Sequence, residues 1–166
     1  MIRAGARPAA PAGCLLLAIA LALAPLAGAC GEPVDAAPLG DYRAWGDPKV
    51  FVGPAPGHGD TYRRVYVNPI ARASEPPAEG YSGYPDGSIF VKEVYDDAGG
   101  QPGALRYIAI MRRVAVADPL IPASDPSRWL FSSTASFGGD ESHDDACWAR
   151  CHAAAPYDGL WYDYRR

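Results

Sequence analysis

Two cysteines and a histidine near the C-terminus carry the clearest chemical signal in the sequence. They lie in the run Cys147-Trp148-Ala149-Arg150-Cys151-His152, where the histidine directly follows the second cysteine. Two such thiols can add to the two vinyl groups of one porphyrin, and the adjacent imidazole can then bind the iron from one face. We interpret the run as the Cys-x-x-Cys-His attachment signature of a c-type haem, although three residues separate the cysteines here. The expected cofactor is one covalently bound haem c, with His152 as the iron ligand.

Three other side chains are weaker candidates for iron or cation binding. Met111 could be a sixth iron ligand, but a methionine on an apolar strand is typical of core packing. His58 lies in a glycine-flanked loop and could stand over the second face of the iron. We expect His143 to be solvent-exposed in the acidic stretch Asp140–Asp145, which could hold a cation but is more typical of a solvated loop. None of the three is a convincing sixth ligand.

The N-terminus indicates export. Arg3 and Arg7 precede an apolar run, Leu15–Leu26, which is followed by small residues, so residues 1–29 are predicted to be a secretory signal peptide. Cys30 follows Ala27-Gly28-Ala29 in the manner of a bacterial lipoprotein, whose first mature cysteine is lipidated; ordinary cleavage after Ala29 is the alternative. The expected location is therefore the periplasm, with a lipid anchor at Cys30 as the membrane contact.

Composition and cysteine use narrow the class further. The formal net charge is −4 and there is no basic run in the mature part, which argues against a nucleic-acid partner. Once Cys14 is assigned to the signal and Cys30 to the anchor, no cysteine outside the haem motif is left for a structural disulfide. Residues 30–39 are rich in proline and alanine and are predicted to be a tether, and residues 40–166 a single haem domain.

Alternating strand patterns between glycine and proline turns dominate the domain. The fold class predicted from them is α+β, mainly β: an antiparallel sheet with a few helices and a haem-bearing C-terminal segment. The predicted elements are a short helix at 41–45 with Asp41 as N-cap, strands at 61–67, 88–95, 106–116 and 129–133, a helix start at Asn68-Pro69, and a helix over 144–155. We expect the aromatic segment 157–164 to be a terminal strand of the sheet; covering a haem edge or a partner subunit is the alternative.

Lys92 stands out within the strongest predicted strand. Strand periodicity places it on one face with Ser88, Phe90 and Val94, so a charged amine stands between two apolar neighbours. Such a lysine is typical of an edge strand, where the side chain reaches water and opposes aggregation. The pattern alone does not distinguish this from a lysine with a chemical role.

Taken in order, these segments resemble the cytochrome P-460 family, which includes the cytochromes c′-beta. The segments that carry the resemblance are Asp41-Tyr42-Arg43-Ala44-Trp45, Arg63-Arg64-Val65-Tyr66-Val67-Asn68, Tyr84-Pro85-Asp86-Gly87-Ser88 with Val91-Lys92-Glu93, the strand from Tyr107 to Met111, Trp129-Leu130-Phe131, and Cys147 to His152 followed by aromatic residues. Their order and spacing extend over the whole predicted mature chain.

The resemblance implies a mainly β domain, often dimeric, with one haem whose distal face is open to small nitrogen oxides. It also implies roles for two further residues. Lys92 matches a lysine that bonds to the porphyrin edge in the hydroxylamine-oxidising members, and Arg63 matches an arginine near their distal side, where a cation could hold a bound nitrogen oxide. Where those enzymes have a distal carboxylate, this chain has Met111, which cannot relay protons.

The expected function is therefore a periplasmic monohaem protein that binds or oxidises hydroxylamine or nitric oxide, passing electrons to a periplasmic acceptor. Whether it is an enzyme stays open at the level of sequence. A non-catalytic protein that binds nitric oxide is the second hypothesis, and an electron carrier with a filled sixth site is the third. Expected partners are the small nitrogen-oxide ligand, the electron acceptor and a second copy of the chain.

Overall fold

The computed structural model describes residues 36–74, 83–115, 118–121, 127–143 and 146–165. The predicted signal peptide and Cys30 lie outside the described residues. In the described ranges, no helix is long and apolar enough to cross a membrane.

One antiparallel sheet forms the body of the protein. Its six strands follow the order of the chain, β1-β2-β3-β4-β5-β6, and each pairs antiparallel with the next. The predicted α+β, mainly β class is therefore confirmed. The strands are β1 (Lys49–Ala55), β2 (Gly59–Val67), β3 (Ile89–Asp97), β4 (Pro102–Arg113), β5 (Trp129–Thr134) and β6 (Ser142–His143).

The register assigns each side chain to one of two faces, because residues directly opposite in neighbouring strands point to the same side. Lys92 on β3 lies opposite Val65 on β2 and Ala109 on β4, so these three share a face. That face, called here the site face, carries the larger apolar cluster and packs against the C-terminal segment. Its buried members are Val65, Val67, Ala71, Tyr84, Phe90, Met111, Trp129, Phe131 and Leu160.

The opposite face is covered by the N-terminal part of the domain. A 3₁₀ helix, Tyr42–Trp45, forms where a short helix was predicted, but the Asp41 side chain makes no capping hydrogen bond. The helix is held instead by Glu93, which is fully buried and accepts hydrogen bonds from the Tyr42 hydroxyl at 2.8 Å and the Arg43 Nε at 2.7 Å. Leu39, at the end of the predicted tether, also packs against this face.

The predicted helix start at Asn68-Pro69 is confirmed. Helix α1 (Pro69–Ala73) begins there, and the Asn68 side chain accepts a hydrogen bond from the Ala71 N–H at 3.0 Å. The same oxygen accepts from the Ile89 N–H, also at 3.0 Å, which fixes the start of β3 beside the end of β2. One amide side chain thus caps the helix and aligns two strands.

The C-terminal segment differs from its prediction in two ways. Instead of one helix over 144–155, helix α2 (Ala146–Arg150) ends before Cys151, whose φ of −134° leaves the helical range, and a short 3₁₀ helix, His152–Ala154, follows. The break lets the His152 ring reach the carbonyl of Gly159. The prediction of a terminal strand at 157–164 is wrong, because these residues form turns that pack across the site face.

Candidate functional site

The haem-motif residues lie beside the site face on and after helix α2. Because Cys147 and Cys151 are four positions apart, one helical turn brings them to the same side, and the Cys151 N–H still bonds to the Cys147 carbonyl at 3.3 Å. Both residues are thiols in the structure. With three residues between them, the two cysteines therefore lie one helical turn apart beside the site face, as a shared porphyrin would require.

His152 is oriented by its own backbone environment. Its Nδ1 donates a hydrogen bond to the Gly159 carbonyl at 2.5 Å, and its ring lies 4.9 Å from that of Phe131. Burial lowers the pKa of His152 below the usual value, so the imidazole is neutral at neutral pH. With Nδ1 protonated and committed to a carbonyl, Nε2 keeps the lone pair that a metal requires.

Two adjoining cavities separate the site face from the C-terminal segment. The larger has a volume of about 350 Å³ and the smaller about 110 Å³. Cys151 lines the larger and Cys147 the smaller. Six residues line both cavities and so connect them: His58, Val65, Lys92, His152, Trp161 and Tyr164.

Lys92 and His58 meet inside these cavities. The Lys92 Nζ lies 2.6 Å from the His58 Nε2, and the His58 Nδ1 lies 2.6 Å from the Tyr107 hydroxyl. Because a lysine ammonium can only donate, Nε2 accepts and Nδ1 carries the proton that is donated to Tyr107. The result is a hydrogen-bonded row from Lys92 through His58 to Tyr107.

Burial shifts the protonation of both groups. Desolvation lowers the pKa of Lys92 to about 8, and the Arg63 cation opposes its charge as well. Desolvation also lowers the pKa of His58 to about 3, and the neighbouring Lys92 charge adds to this effect. At neutral pH the row therefore consists of a lysine that is partly neutral and an imidazole that is neutral and accepts its hydrogen bond.

Arg63 lines the larger cavity, and two hydrogen bonds fix its guanidinium. Its Nη1 donates to the Gly53 carbonyl and to the Thr61 hydroxyl, both at 3.0 Å, and the residue is 6% exposed. Burial lowers the pKa of Arg63. Because the ordinary pKa of an arginine is far above 7, the guanidinium still stays charged at neutral pH. Arg63, Lys92, His152 and Cys151 are thus brought to one cavity, and Cys147 to the adjoining one.

The three weaker candidates for iron or cation binding lie in different surroundings in the structure. Met111 packs in the apolar cluster, as expected, and also lines the smaller cavity. His58 faces the cavities, but both of its ring nitrogens already have partners. The expectation of an exposed His143 is wrong, because the ring is partly buried on β6 and its Nδ1 contacts the Phe131 carbonyl at 2.9 Å.

The acidic stretch shows no cation site in its described part. Glu141 is paired with Arg112 at 2.5 Å, and Asp144 and Asp145 lie outside the described residues. Across the described ranges, no group of three or more histidine, cysteine, aspartate or glutamate side chains could hold a metal ion. A haem iron does not need such a group, because the porphyrin supplies four ligands.

Two parts of the site were missed by sequence reasoning. The row formed by Lys92, His58 and Tyr107 joins a loop to two strands, and no local pattern reports such a long-range contact. The turn that carries the Gly159 carbonyl did have a signal, since the Asp158-Gly159 dipeptide between apolar residues is typical of a tight turn with positive φ at both positions.

Comparisons with known proteins add no relative. A scan of protein-family models finds no family that matches this chain, and a search of curated proteins finds no match. The resemblance to the cytochrome P-460 family therefore stays a prediction from the sequence segments.

Proposed function

We propose that the protein is a monohaem c-type cytochrome that binds small nitrogen oxides at an open iron site. The observation that carries the proposal is the convergence of two thiols and a neutral histidine on the walls of two adjoining cavities. These cavities are otherwise mainly apolar, and the larger, at about 350 Å³, lies in the size range typical of cofactor pockets.

The described residues fit the group that the motif implies. Cys147 and Cys151 would anchor the porphyrin through thioethers, and His152 would bind the iron through Nε2. When bound, the haem supplies an iron that can exchange one electron and hold a small ligand. The aromatic rings of Phe131, Tyr162 and Tyr164 line the cavities and would exclude water from the bound haem.

The cations of the larger cavity give the proposal its substrate class. Arg63 would hold a nitrogen oxide as negative charge develops on it, and Lys92 would add a second cation where its amine is not bonded to the porphyrin. Lys92 is also the proposed third covalent link to the porphyrin. A partly neutral amine is the nucleophilic form that such a link requires, and the depressed pKa of about 8 increases its share at neutral pH.

Reversible binding of nitric oxide without turnover is the second candidate function. Its support is that no aspartate or glutamate of the described chain lines either cavity. Oxidation of hydroxylamine releases protons and needs a group to accept them, whereas binding of nitric oxide does not. Among the described residues that line the cavities, the neutral form of Lys92 is the candidate acceptor, because the pKa of His58 is lowered to about 3.

The test is spectroscopy and intact mass of the mature protein. We expect one haem bonded through both cysteines, a high-spin ferric spectrum and a change on adding nitric oxide. A third bond involving Lys92, together with hydroxylamine-dependent electron release, would identify the enzyme. An unmodified Lys92 with reversible nitric oxide binding would identify the second function, and a low-spin spectrum that ignores nitric oxide would contradict both.

Four alanine variants sharpen this test. His152→Ala should remove the proximal ligand and change the spectrum, whereas His143→Ala should leave it unchanged, because His143 lines neither cavity. Cys147→Ala and Cys151→Ala should each leave a single thioether. Retention of both thioether bonds in either variant would contradict the proposed attachment.

Export and anchoring are proposed from the sequence. We place the protein in the periplasm, tethered by lipid at Cys30, with a periplasmic electron acceptor as its redox partner. Replacing Cys30 with alanine should release the protein from the membrane fraction. Unchanged membrane association of Cys30→Ala would contradict the tether and leave the haem proposal intact.

A further inference from the structure

We propose that Asp158 is a positioning residue that sets the orientation and hydrogen bond of His152 through the turn that it begins. The inference rests on the proposed function, since it concerns the residue proposed as iron ligand.

The turn is specified by the Asp158-Gly159 dipeptide. Tyr157 and Leu160 exchange backbone hydrogen bonds of 3.0 and 3.1 Å, which closes a two-residue turn. Asp158 has a φ of 54° and Gly159 a φ of 82°, so both central residues are left-handed, as in a type I′ turn. An aspartate costs more than a glycine in that conformation, so the turn needs external support.

The support comes from the Asp158 carboxylate. One of its oxygens accepts a hydrogen bond from the Tyr84 N–H at 2.9 Å and forms an ion pair with Arg113, at the end of β4. The Arg113 side chain is 13% exposed and that of Asp158 is 12% exposed, so the pair is shielded from water. The turn is thus fastened to the sheet.

The fastened turn presents its carbonyl to the ligand. Gly159 accepts the hydrogen bond from the His152 Nδ1 at 2.5 Å, and its α-carbon is packed between two indoles. A methyl group added there would stand 3.2 Å from Trp148 and 3.3 Å from Trp129. The two indoles and the tight turn restrict the Gly159 backbone. A shift of Asp158 should therefore shift the Gly159 carbonyl as well.

The physical consequence is control of the ligand's basicity. A strong hydrogen bond from Nδ1 to a carbonyl raises the electron density on Nε2 and fixes the ring plane. A more basic ligand favours the more positively charged oxidation state of the iron. Loosening Asp158 should therefore weaken the iron–histidine bond and raise the reduction potential.

The test uses Asp158→Asn in the haem-containing protein. Asparagine tolerates the left-handed backbone and can still accept from Tyr84, but it loses the ion pair with Arg113. We expect the iron–histidine stretching frequency of the ferrous protein, measured by resonance Raman, to fall and the reduction potential to rise. Arg113→Gln should cause the same shifts, Arg113→Lys smaller ones, and the double variant Asp158→Asn/Arg113→Gln no more than the larger single shift.

The matched control is Asp163→Asn. Asp163 contacts the same tyrosine, through the Tyr84 hydroxyl at 3.3 Å, and pairs with Arg165, but it lies outside the turn. We expect this variant to keep the wild-type frequency and potential. If Asp158→Asn lowers the melting temperature and changes neither quantity, Asp158 is only structural and the inference is overturned.

Failure of the proposed function would be seen separately, as wild-type protein without covalent haem. In that case the inference is tested on the haem-free chain by the ¹⁵N shifts of the His152 ring. The wild type should show the tautomer protonated at Nδ1, and Asp158→Asn should show an increased share of the other tautomer. Identical shifts in the two proteins would overturn the inference.

Discussion

At the scale of single residues, the two neighbouring arginines of β2 offer a direct test of the cavity. Arg63 lines the larger cavity, whereas Arg64 points to the opposite face and lies over the Tyr62 and Tyr95 rings at 5.6 and 5.7 Å. We expect Arg63→Gln to weaken binding of an anionic ligand such as nitrite or azide about tenfold, the usual effect of losing one charge-assisted contact. Binding of neutral nitric oxide should fall less.

Arg64→Gln is the matched control, because it removes the same charge from the same strand. Ligand titrations followed by absorption measure both variants. Arg63→Lys should keep part of the affinity for the anion because it keeps the charge. Equal losses in the Arg63→Gln and Arg64→Gln variants would mean that Arg63 acts only through the overall charge of the protein.

His58 gives a prediction about stability and pH. Its pKa is about 3 in the folded protein against an ordinary 6.5, so between these values the unfolded chain binds the proton more tightly. Stability must therefore fall as pH falls from about 6.5 towards about 3, by on the order of 2–4 kcal/mol at the acid end. His58→Gln can keep both hydrogen bonds without titrating, and should lose much less stability over this window.

The measurement is urea unfolding at a series of pH values in a Cys147→Ala/Cys151→Ala background, where no haem is attached. His143→Gln is the control, because it removes a histidine that lines neither cavity. A His58→Gln variant whose stability follows the wild-type curve below pH 6 would show that the imidazole is not held neutral by its surroundings.

At the scale of elements, the turn at Asp158-Gly159 is more sensitive to change than an ordinary glycine turn. Gly159 and Gly138 both have positive φ, at 82° and 67°, so alanine costs about 1 kcal/mol of backbone energy at either position. At Gly138 nothing lies within 4 Å of the added carbon, whereas at Gly159 two indoles do. Gly159→Ala should therefore cost about 1–3 kcal/mol more than Gly138→Ala.

Chemical denaturation of both variants measures this difference. Gly138→Ala serves as the control for backbone conformation alone. If the two substitutions lower the free energy of unfolding equally, the packing around Gly159 is looser than the structure has it, and the carbonyl that faces His152 is less firmly held.

The elements also show how far sequence reasoning could reach. Strand β3 and the helix start at Asn68 were predictable, because period-two alternation and the Asn-Pro cap are local properties of the chain. Strand β1 was missed because Gly53 and Pro54 interrupt its pattern, and it exists through its pairing with β2. The break of the C-terminal helix at Cys151 was missed because no glycine or proline marks it in the sequence, and the Gly159 carbonyl that contacts His152 comes from another segment.

In the candidate site, too, local features were predictable from the sequence and long-range contacts were not. The thiols and His152 were predictable from their adjacency in the chain, and the place of Lys92 on a face with Phe90 from strand periodicity. That Lys92 contacts His58 was not predictable, because the contact spans 34 positions and depends on the β1–β2 turn. Local patterns thus pointed to the candidate groups, and the tertiary structure shows which residues lie next to them.

At the scale of the whole molecule, the sheet has two unequal edges. Strand β6 has only two residues and ends its side of the sheet, whereas β1 has seven residues and pairs with β2 alone among the described strands. On the face away from the site, β1 exposes Val50 and Val52 at 42% and 49%. A long edge strand with an apolar stripe is a surface on which a second sheet edge can pair.

The expected dimer follows from this edge. Two copies can add β1 to β1 antiparallel about a two-fold axis, which brings the valine pairs of the two copies together. The double variant Val50→Lys/Val52→Lys should therefore be monomeric, because four buried ammonium groups would face one another across the axis. Sedimentation equilibrium measures the change in mass, and the absorption spectrum should stay that of the wild type.

The control for added charge is Ile70→Lys, at an equally exposed apolar position of 49% on helix α1. It should leave the association unchanged, since Ile70 is not on β1 and its side chain lies beside Gly87, in the turn before β3. A wild-type protein that is monomeric at all concentrations would contradict the dimer. A lysine variant that stays dimeric would show that the interface is not on β1.

Because β1 also contributes Phe51 to the larger cavity, a dimer built on this edge would stiffen one wall of the site in each copy.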